Sequence, residues 1–319
     1  MPSLSSAERT APFPFLVGSG RSGTTLLRAM FDSHPEMAVP HESHFLVPIA
    51  RRRARYEQPA GLDLETFVAD LVGHPWFSRW GIPEEEVREA LARDRPTECA
   101  EAIRGVFALY ARRLGKPRYG DKTPGYVSQI ALLAAFLPEA RFVHLIRDGR
   151  DVALSLREME WGPADPLEAA LYWKERVEMG RRAGRRLDRG RYRETRYEDL
   201  VRDPEGTLRE LCSFLALTFD SVMLQYPERA AELTAPAEYP HRHRRIALPP
   251  TTGLRDWRRQ MSREDLARFE AVAGGLLTEL GYERGVRAVP AKTLVEARMR
   301  RLGRWAARRR RRPAPSGGR

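Results

Sequence analysis

The first apolar run of the chain, FPFLVG, stops at Gly18 and gives way to TTLLRAMFDSHP, in which Leu26, Leu27, Met30 and Phe31 recur at helical spacing. A strand, a loop and a helix are predicted in that order. The alternation returns later: ARFVHLIRD is a continuous apolar run with a polar end, and GRDVALSLREM resumes the helical period. Two such units predict an α/β fold in which a central parallel sheet is flanked by helices, a three-layer arrangement of P-loop type. Between them, after a second extended stretch EMAVPHESHF, residues from about 50 to 115 read as a helical insertion that begins rich in arginine. Beyond the second unit, PLEAALYWKERVEMGRRAGRRL predicts a long helix and RYRETRYEDL a further strand, and DPEGTLRELCSFLAL restarts a helix at Pro204. From Tyr239 to Arg259, proline, histidine and arginine crowd together without a period, which predicts a loop.

The length of 319 residues is enough for a large core, and one main domain over about 12–285 is expected, preceded by a flexible stretch 1–11. Residues 286–319 are expected to form a C-terminal helix and a basic, disordered tail. The net charge of +12 belongs largely to that end, because ten arginines and no acid lie between Arg298 and Arg319. The body is close to neutral without them, so a nucleic-acid partner is not expected, and the tail offers at most weak contact with an acidic surface. Cys99 and Cys212 form no CxxC pair, and the N-terminus has no apolar core of a secretion signal. No run approaches the roughly 18 apolar residues of a membrane span. Together these predict a cytoplasmic protein whose oligomeric state is open.

The stretch GSGRSGTTLL carries the first chemistry. A nucleotide-triphosphate loop is G-x-x-x-x-G-K-[ST], in which lysine reaches the outer phosphates and the hydroxyl holds magnesium. Gly18 and Gly23 keep the spacing and Thr25 fills the hydroxyl position, but Thr24 stands where the lysine belongs. The amides that open the following helix still make an anion cradle through their partial positive charge. Arg21 adds a permanent forked cation, suited to a tetrahedral oxyanion of lower charge than a metal-bound triphosphate.

RSGTTLLRAMFDSHPE closely resembles the 5′-phosphosulfate loop of sulfotransferases that use 3′-phosphoadenosine 5′-phosphosulfate, and is most similar to the tyrosylprotein branch. The resemblance implies that Arg21, Ser22, Gly23, Thr24 and Thr25 hold the 5′-phosphate and sulfuryl group, with no metal required. Such a donor also has a 3′-phosphate, and LIRDGRDVALSL matches the family's second anion site, implying Arg147 and Ser155 as its ligands. Asp148, Arg150 and Asp151 read instead as a helix cap with local ion pairs. RYEDL resembles the segment near the adenine and implies Tyr197, and GLRDWRRQ resembles the segment that closes over the 3′-phosphate, implying Gly253, Leu254 and Arg255, with Trp257 as an anchor.

Sulfuryl transfer to a hydroxyl needs a base for the acceptor proton and a cation for the departing oxygen. HESHF groups His41, Glu42 and His44, and the resemblance points to Glu42 as the general base, with the two histidines packing or shaping the acceptor pocket. Among 55 basic residues only Lys116, Lys122, Lys174 and Lys292 are lysines, so the lysine of YGDKTPGYV stands out. Its compact ammonium can follow a moving oxygen and donate a proton, and the resemblance assigns that contact to Lys122. Glu42, Lys122 and Arg21 are therefore the expected catalytic residues. The expected products are adenosine 3′,5′-bisphosphate and a sulfate ester of a small-molecule, carbohydrate or lipid acceptor. DKTPG and the helical insertion depart from the tyrosylprotein branch, so a protein tyrosine is the alternative acceptor. Two other readings stand: a P-loop kinase or NTPase, with Asp148 as its metal carboxylate, and a non-catalytic anion-binding module.

Overall fold

The computed structural model describes residues 11–227 and 255–311. In chain order its elements begin with β1 (Phe13–Gly18), α1 (Thr24–Ser33), β2 (Met37–Ala38) and α2 (Leu46–Arg51). A hairpin of β3 (Glu57–Gln58) and β4 (Gly61–Leu62) leads into α3 (Leu64–Val72), α4 (Glu84–Asp94) and α5 (Cys99–Arg113). Next come β5 (Arg118–Tyr119), β6 (Asp121–Lys122), α6 (Ile130–Phe136), β7 (Ala140–Ile146) and α7 (Gly149–Leu156). The remainder is α8 (Pro166–Gly184), β8 (Tyr192–Arg196), α9 (Tyr197–Arg202), α10 (Pro204–Phe214), α11 (Trp257–Gln260), α12 (Arg263–Glu279) and α13 (Ala291–Arg311).

These elements gather in two compact units. One holds the described residues through Ile146 together with those from Met179 to 227, and the other holds Arg147–Glu178 with the residues from 255 onward. The first unit is built on a four-stranded parallel sheet in the order β6-β1-β7-β8. Along β1 the pleat sends Phe13, Phe15 and Val17 into one apolar cluster and Leu16 into another, so both faces of the strand are covered. The phenylalanine face packs on Phe45, just before α2, and on Phe67, Val106 and Phe107 from the helical region the sequence predicts as an insertion. The other face packs on Leu27, Met30 and Phe31 of α1 and Leu208 and Leu211 of α10. Each fully buried Phe or Leu contributes roughly 1.5–3 kcal/mol, which is why this sheet can also carry buried charge at one end of a strand.

The second unit is organised by a buried cation. The guanidinium of Arg150 donates to Asp148 at 2.7 and 3.0 Å and to Glu270 of α12 at 2.8 Å, and it lies 3.5 Å from the ring centroid of Trp257. Glu270 also accepts from Arg284 Nε and from the Gly285 amide, both at 2.7 Å, so every charge in the group has partners. Gly149 starts α7 against Trp173, where a Cβ would come within 2.5 Å of the indole. The indole N–H of Trp173 donates to the carbonyl of Arg147 at 3.1 Å.

Three expectations are corrected. The second extended stretch contributes only Met37–Ala38 as strand, paired with β5 outside the main sheet, because Pro40 has no N–H to extend the ladder. The loop expected through Arg259 ends earlier, in a helical turn at Trp257 whose start is capped by the Asp256 carboxylate accepting from the Arg258 amide. The basic end is helical through Arg311, since alanine and arginine favour helix and the first proline after Ala291 is Pro313.

Candidate active site

The loop after β1 is shaped by its backbone. A Cβ on Gly18 would stand 2.6 Å from the Leu145 carbonyl oxygen and 2.7 Å from Ser22 Oγ, so only glycine lets β1 end this close to β7. Ser22 is fully buried, and both its amide, at 3.2 Å, and its hydroxyl, at 2.7 Å, donate to the Ser19 carbonyl. Its polar groups therefore fold the turn. Arg21 follows with φ 71° and Gly23 with φ 97°, both in the left-handed region. The ring of Tyr197, at the start of α9, lies against Gly23 so closely that a Cβ there would come within 2.4 Å of it. The predicted tyrosine and the predicted glycine are thus in direct register.

Gly23 is the N-cap of α1, which has no side-chain cap hydrogen bond and no acid in its first turn. The partial positive charge at this helix start is not offset from within the helix. Thr24 is buried and Thr25 half-buried at the first two helical positions. Loop, amides and threonines together make a cradle for a tetrahedral anion.

The titratable pair lies elsewhere in the same unit. Lys122 is buried on β6 beside Leu16 of β1, and its ammonium donates to Glu42 Oε1 at 2.6 Å. Glu42 is held in place through its neighbours. The Trp80 indole donates to the His41 carbonyl at 2.9 Å, the Ser43 amide donates to Thr123 Oγ1 at 3.0 Å, and Ser43 Oγ donates to the Tyr126 hydroxyl at 3.0 Å. His44 Nε2 meets the second carboxylate oxygen, Oε2, at 2.8 Å, and its ring packs 4.1 Å from that of Trp76.

Burial by itself would raise the Glu42 pKa, but the charge of Lys122 and the hydrogen bonds from His44 and Lys122 outweigh it and bring the carboxyl down to about 2. His41 is lowered to about 4, first by burial and then by the charges of Arg28, Lys122 and Arg79, so it is neutral near pH 7. Asp121, beside Lys122 in sequence, is pushed up to about 6 by complete burial, against the hydrogen bonds from Ser43 and Thr123.

The remaining predicted residues belong to the second unit. Arg147 follows directly on the last residue of β7 and has Asp151 at 3.7 Å, and Ser155 is buried two turns along α7. The Asp148 carboxylate accepts from the Arg150 amide at 2.9 Å, the helix cap read from the sequence. Arg255 pairs with Glu158, and the amide of buried Trp257 donates to Asp151 at 3.0 Å, the expected anchor. Gly253 and Leu254 lie outside the described residues.

Sequence reasoning missed the Ser43, Thr123 and Tyr126 network and the buried Arg150 with Glu270. The threonine and tyrosine of DKTPGY were the available signal for the first, since small polar groups flanking a buried charge usually find partners. His41 and His44 share one expected role, packing or shaping the acceptor pocket, and the structure separates them by bringing His44 to the carboxylate.

The model of the sulfotransferase family matches residues 12–221. The protein-tyrosine sulfotransferase of Drosophila melanogaster is 25% identical over 228 residues, which is 70% of this chain and 42% of that protein. The omega-hydroxy-beta-dihydromenaquinone-9 sulfotransferase of Mycobacterium tuberculosis is 28% identical over 249 residues, covering 64% of this chain and 62% of that one. The chain thus spans less than two thirds of the length of either relative. Among solved structures, the sulfotransferase domain of the Synechococcus olefin synthase superposes with a TM-score of 0.58 at 24% identity, over 89% of this chain and 99% of that domain, a likeness of fold.

Proposed function

The chain belongs to the sulfotransferase family, and from that premise we propose that it moves the sulfuryl group of 3′-phosphoadenosine 5′-phosphosulfate to the hydroxyl of a small-molecule, carbohydrate or lipid acceptor. The observation that carries this reading is the 2.6 Å pair of Lys122 with Glu42, a proton acceptor joined to a mobile cation in the unit that also holds the anion cradle. Arg21 to Thr25 would hold the 5′-phosphate and sulfuryl oxygens by helix-start amides and a forked cation, with no metal required. Tyr197, packed on Gly23, offers a flat face for the adenine. Arg147 and Ser155, with Gly253 and Arg255, are the proposed 3′-phosphate ligands.

Paired with Lys122, Glu42 at about 2 is too weak a base to take a proton from a hydroxyl. The donor supplies an electrophilic sulfur and a bridging oxygen on which negative charge collects. When the Lys122 ammonium turns to that oxygen, Glu42 loses its strongest stabilising neighbour and burial raises its basicity. It then takes the acceptor proton while the acceptor oxygen bonds to sulfur and the bond from sulfur to the phosphate oxygen breaks. His44 keeps its hydrogen bond to the carboxylate and orients it. The products are a sulfate ester and adenosine 3′,5′-bisphosphate.

The acceptor class rests on chemistry broader than a peptide, because one relative is named for a protein tyrosine and another for an omega-hydroxylated dihydromenaquinone. Buried, unpaired Cys99 and Cys212 support the proposed reducing, cytoplasmic setting. Calorimetry should show binding of adenosine 3′,5′-bisphosphate in preference to Mg·ATP, and a donor-dependent acceptor panel should show sulfate transfer that Glu42→Gln removes. Preference for Mg·ATP would favour the kinase reading. Nucleotide binding without transfer to any acceptor would favour a non-catalytic module, and transfer confined to peptide tyrosines would reassign the acceptor.

A further inference from the structure

The helix α13, residues Ala291–Arg311, presents two different faces. One docks within its own unit: Ala297 is buried, Arg300 and Arg304 each reach Glu168 at 3.2 Å, and Glu296 receives Arg268 at 3.0 Å. The other face exposes Leu294, Val295, Met299, Leu302 and Trp305, each between 48% and 64% accessible. At 3.6 residues per turn these five fall in an arc of about 140° on the side away from Arg300 and Arg304. Large apolar groups scattered singly on a surface need no explanation, but five on one helical face form a contiguous patch.

The charge on the same helix selects the occupant. Arg298 falls inside the apolar arc and Arg301 on its edge, both exposed, and from Arg298 to Arg319 the chain has ten arginines and no acid. A second copy of this helix would bring like charges together over its apolar face. A nucleic acid would satisfy the arginines and leave the leucines, methionine and tryptophan in water. A bilayer with anionic headgroups satisfies both, because apolar side chains enter the acyl boundary while arginines stay among the phosphates. The helix is about 31 Å long and strongly charged, so it suits lying along an interface. Among the described residues no helix is long and apolar enough to cross a membrane.

We propose that α13 is an interfacial docking helix that seats this protein on anionic lipid surfaces through Leu294, Val295, Met299, Leu302 and Trp305, with Arg298 and Arg301 contacting headgroups. The helix is already folded, so docking orders little new chain. This proposal does not rest on the identity of the reaction.

Flotation of the full chain with phosphatidylglycerol vesicles tests it, with phosphatidylcholine vesicles as the neutral arm. The protein should float with the anionic vesicles at low salt and be released as salt rises. Arg298→Ala and Arg301→Ala should each weaken partitioning about fivefold. The exposed pair Leu302→Glu with Trp305→Glu should abolish flotation while thermal unfolding and affinity for adenosine 3′,5′-bisphosphate stay as in the parent. Equal flotation with both lipids, flotation with neither, or flotation that survives the double substitution would each overturn the proposal. So would a dimer in solution that the same double substitution dissociates, since a second copy would then cover the face. Binding of a DNA duplex unaffected by it, without lipid binding, would reassign the arginines.

Discussion

The loops after β1 and after β7 share one local pattern, strand, tight turn and helix, yet they treat their helix starts in opposite ways. After β1, the chain spends left-handed conformations at Arg21 and Gly23 and leaves the start of α1 without a side-chain cap or an acid. After β7, Asp148 caps α7 from within, and Asp151 adds a second carboxylate to its first turn. Only the first helix start keeps its partial positive charge for a ligand. The anion proposed for the second loop would depend on side chains such as Arg147 and Ser155. One supersecondary pattern can thus leave its helix start open or cap it from within, and capping chemistry decides which.

The contrast can be broken at each of its parts. The largest effect is expected in the first unit at Lys122→Ala, which removes the ammonium paired with Glu42 and proposed to meet the departing oxygen. Turnover should fall about a thousandfold while affinity for adenosine 3′,5′-bisphosphate changes less than about tenfold, read by steady-state kinetics beside calorimetry. Gly23→Ala strikes the backbone cradle itself, forcing a methyl into the Tyr197 ring at a φ of 97°. Nucleotide affinity should drop about a hundredfold and stability by about 1–3 kcal/mol, and unchanged affinity would remove the cradle from the site.

The second loop should respond through folding more than binding. Asp148→Ala takes one partner from the buried Arg150 and should cost about 3 kcal/mol in denaturant unfolding, with nucleotide affinity kept once the variant is folded. Arg147→Ala should instead erase preference for the 3′-phosphate, lowering affinity for adenosine 3′,5′-bisphosphate roughly thirtyfold while leaving that for adenosine 5′-monophosphate nearly unchanged. If Asp148→Ala behaves like Arg147→Ala, the self-capped description of this loop is wrong.

The smallest effect is in acid. The Glu42 carboxyl sits at about 2, below its ordinary 4.5, so the stability it lends is complete above pH 4.5 and is lost as pH falls toward 2. His41, held at about 4, and His144, held at about 3, add an earlier loss beginning near 6.5, because the unfolded imidazoles take up protons first. Thermal unfolding followed across this range should show both limbs. Lys122→Ala should shrink the lower limb, since burial then raises the Glu42 carboxyl against His44 alone.

Much of this was legible in the chain. β1 and β7 are buried on both faces, so they read as largely apolar runs without alternation, and Gly18 and Gly23 announce a turn that a β carbon would block. Lys122 stood out by its rarity in an arginine-rich chain. What local pattern does not carry is pairing at a distance. Arg150 reads as one more surface charge beside a cap, because the carboxylate that keeps it buried, Glu270, lies 120 residues away. The interleaved division into two units and the two-residue strands β5 and β6 are likewise set by neighbours remote in sequence. The length of α13 was missed for another reason, because a run of arginines has the composition of a solvated tail and the propensity of a helix.

The 2.6 Å contact between Lys122 and Glu42 also bears on the order of events. In the proposed reaction, acid and base neutralise one another until the donor draws Lys122 away, so an acceptor that arrives first would meet an engaged carboxylate and form an idle complex. Sequence of arrival would then be written into two side chains.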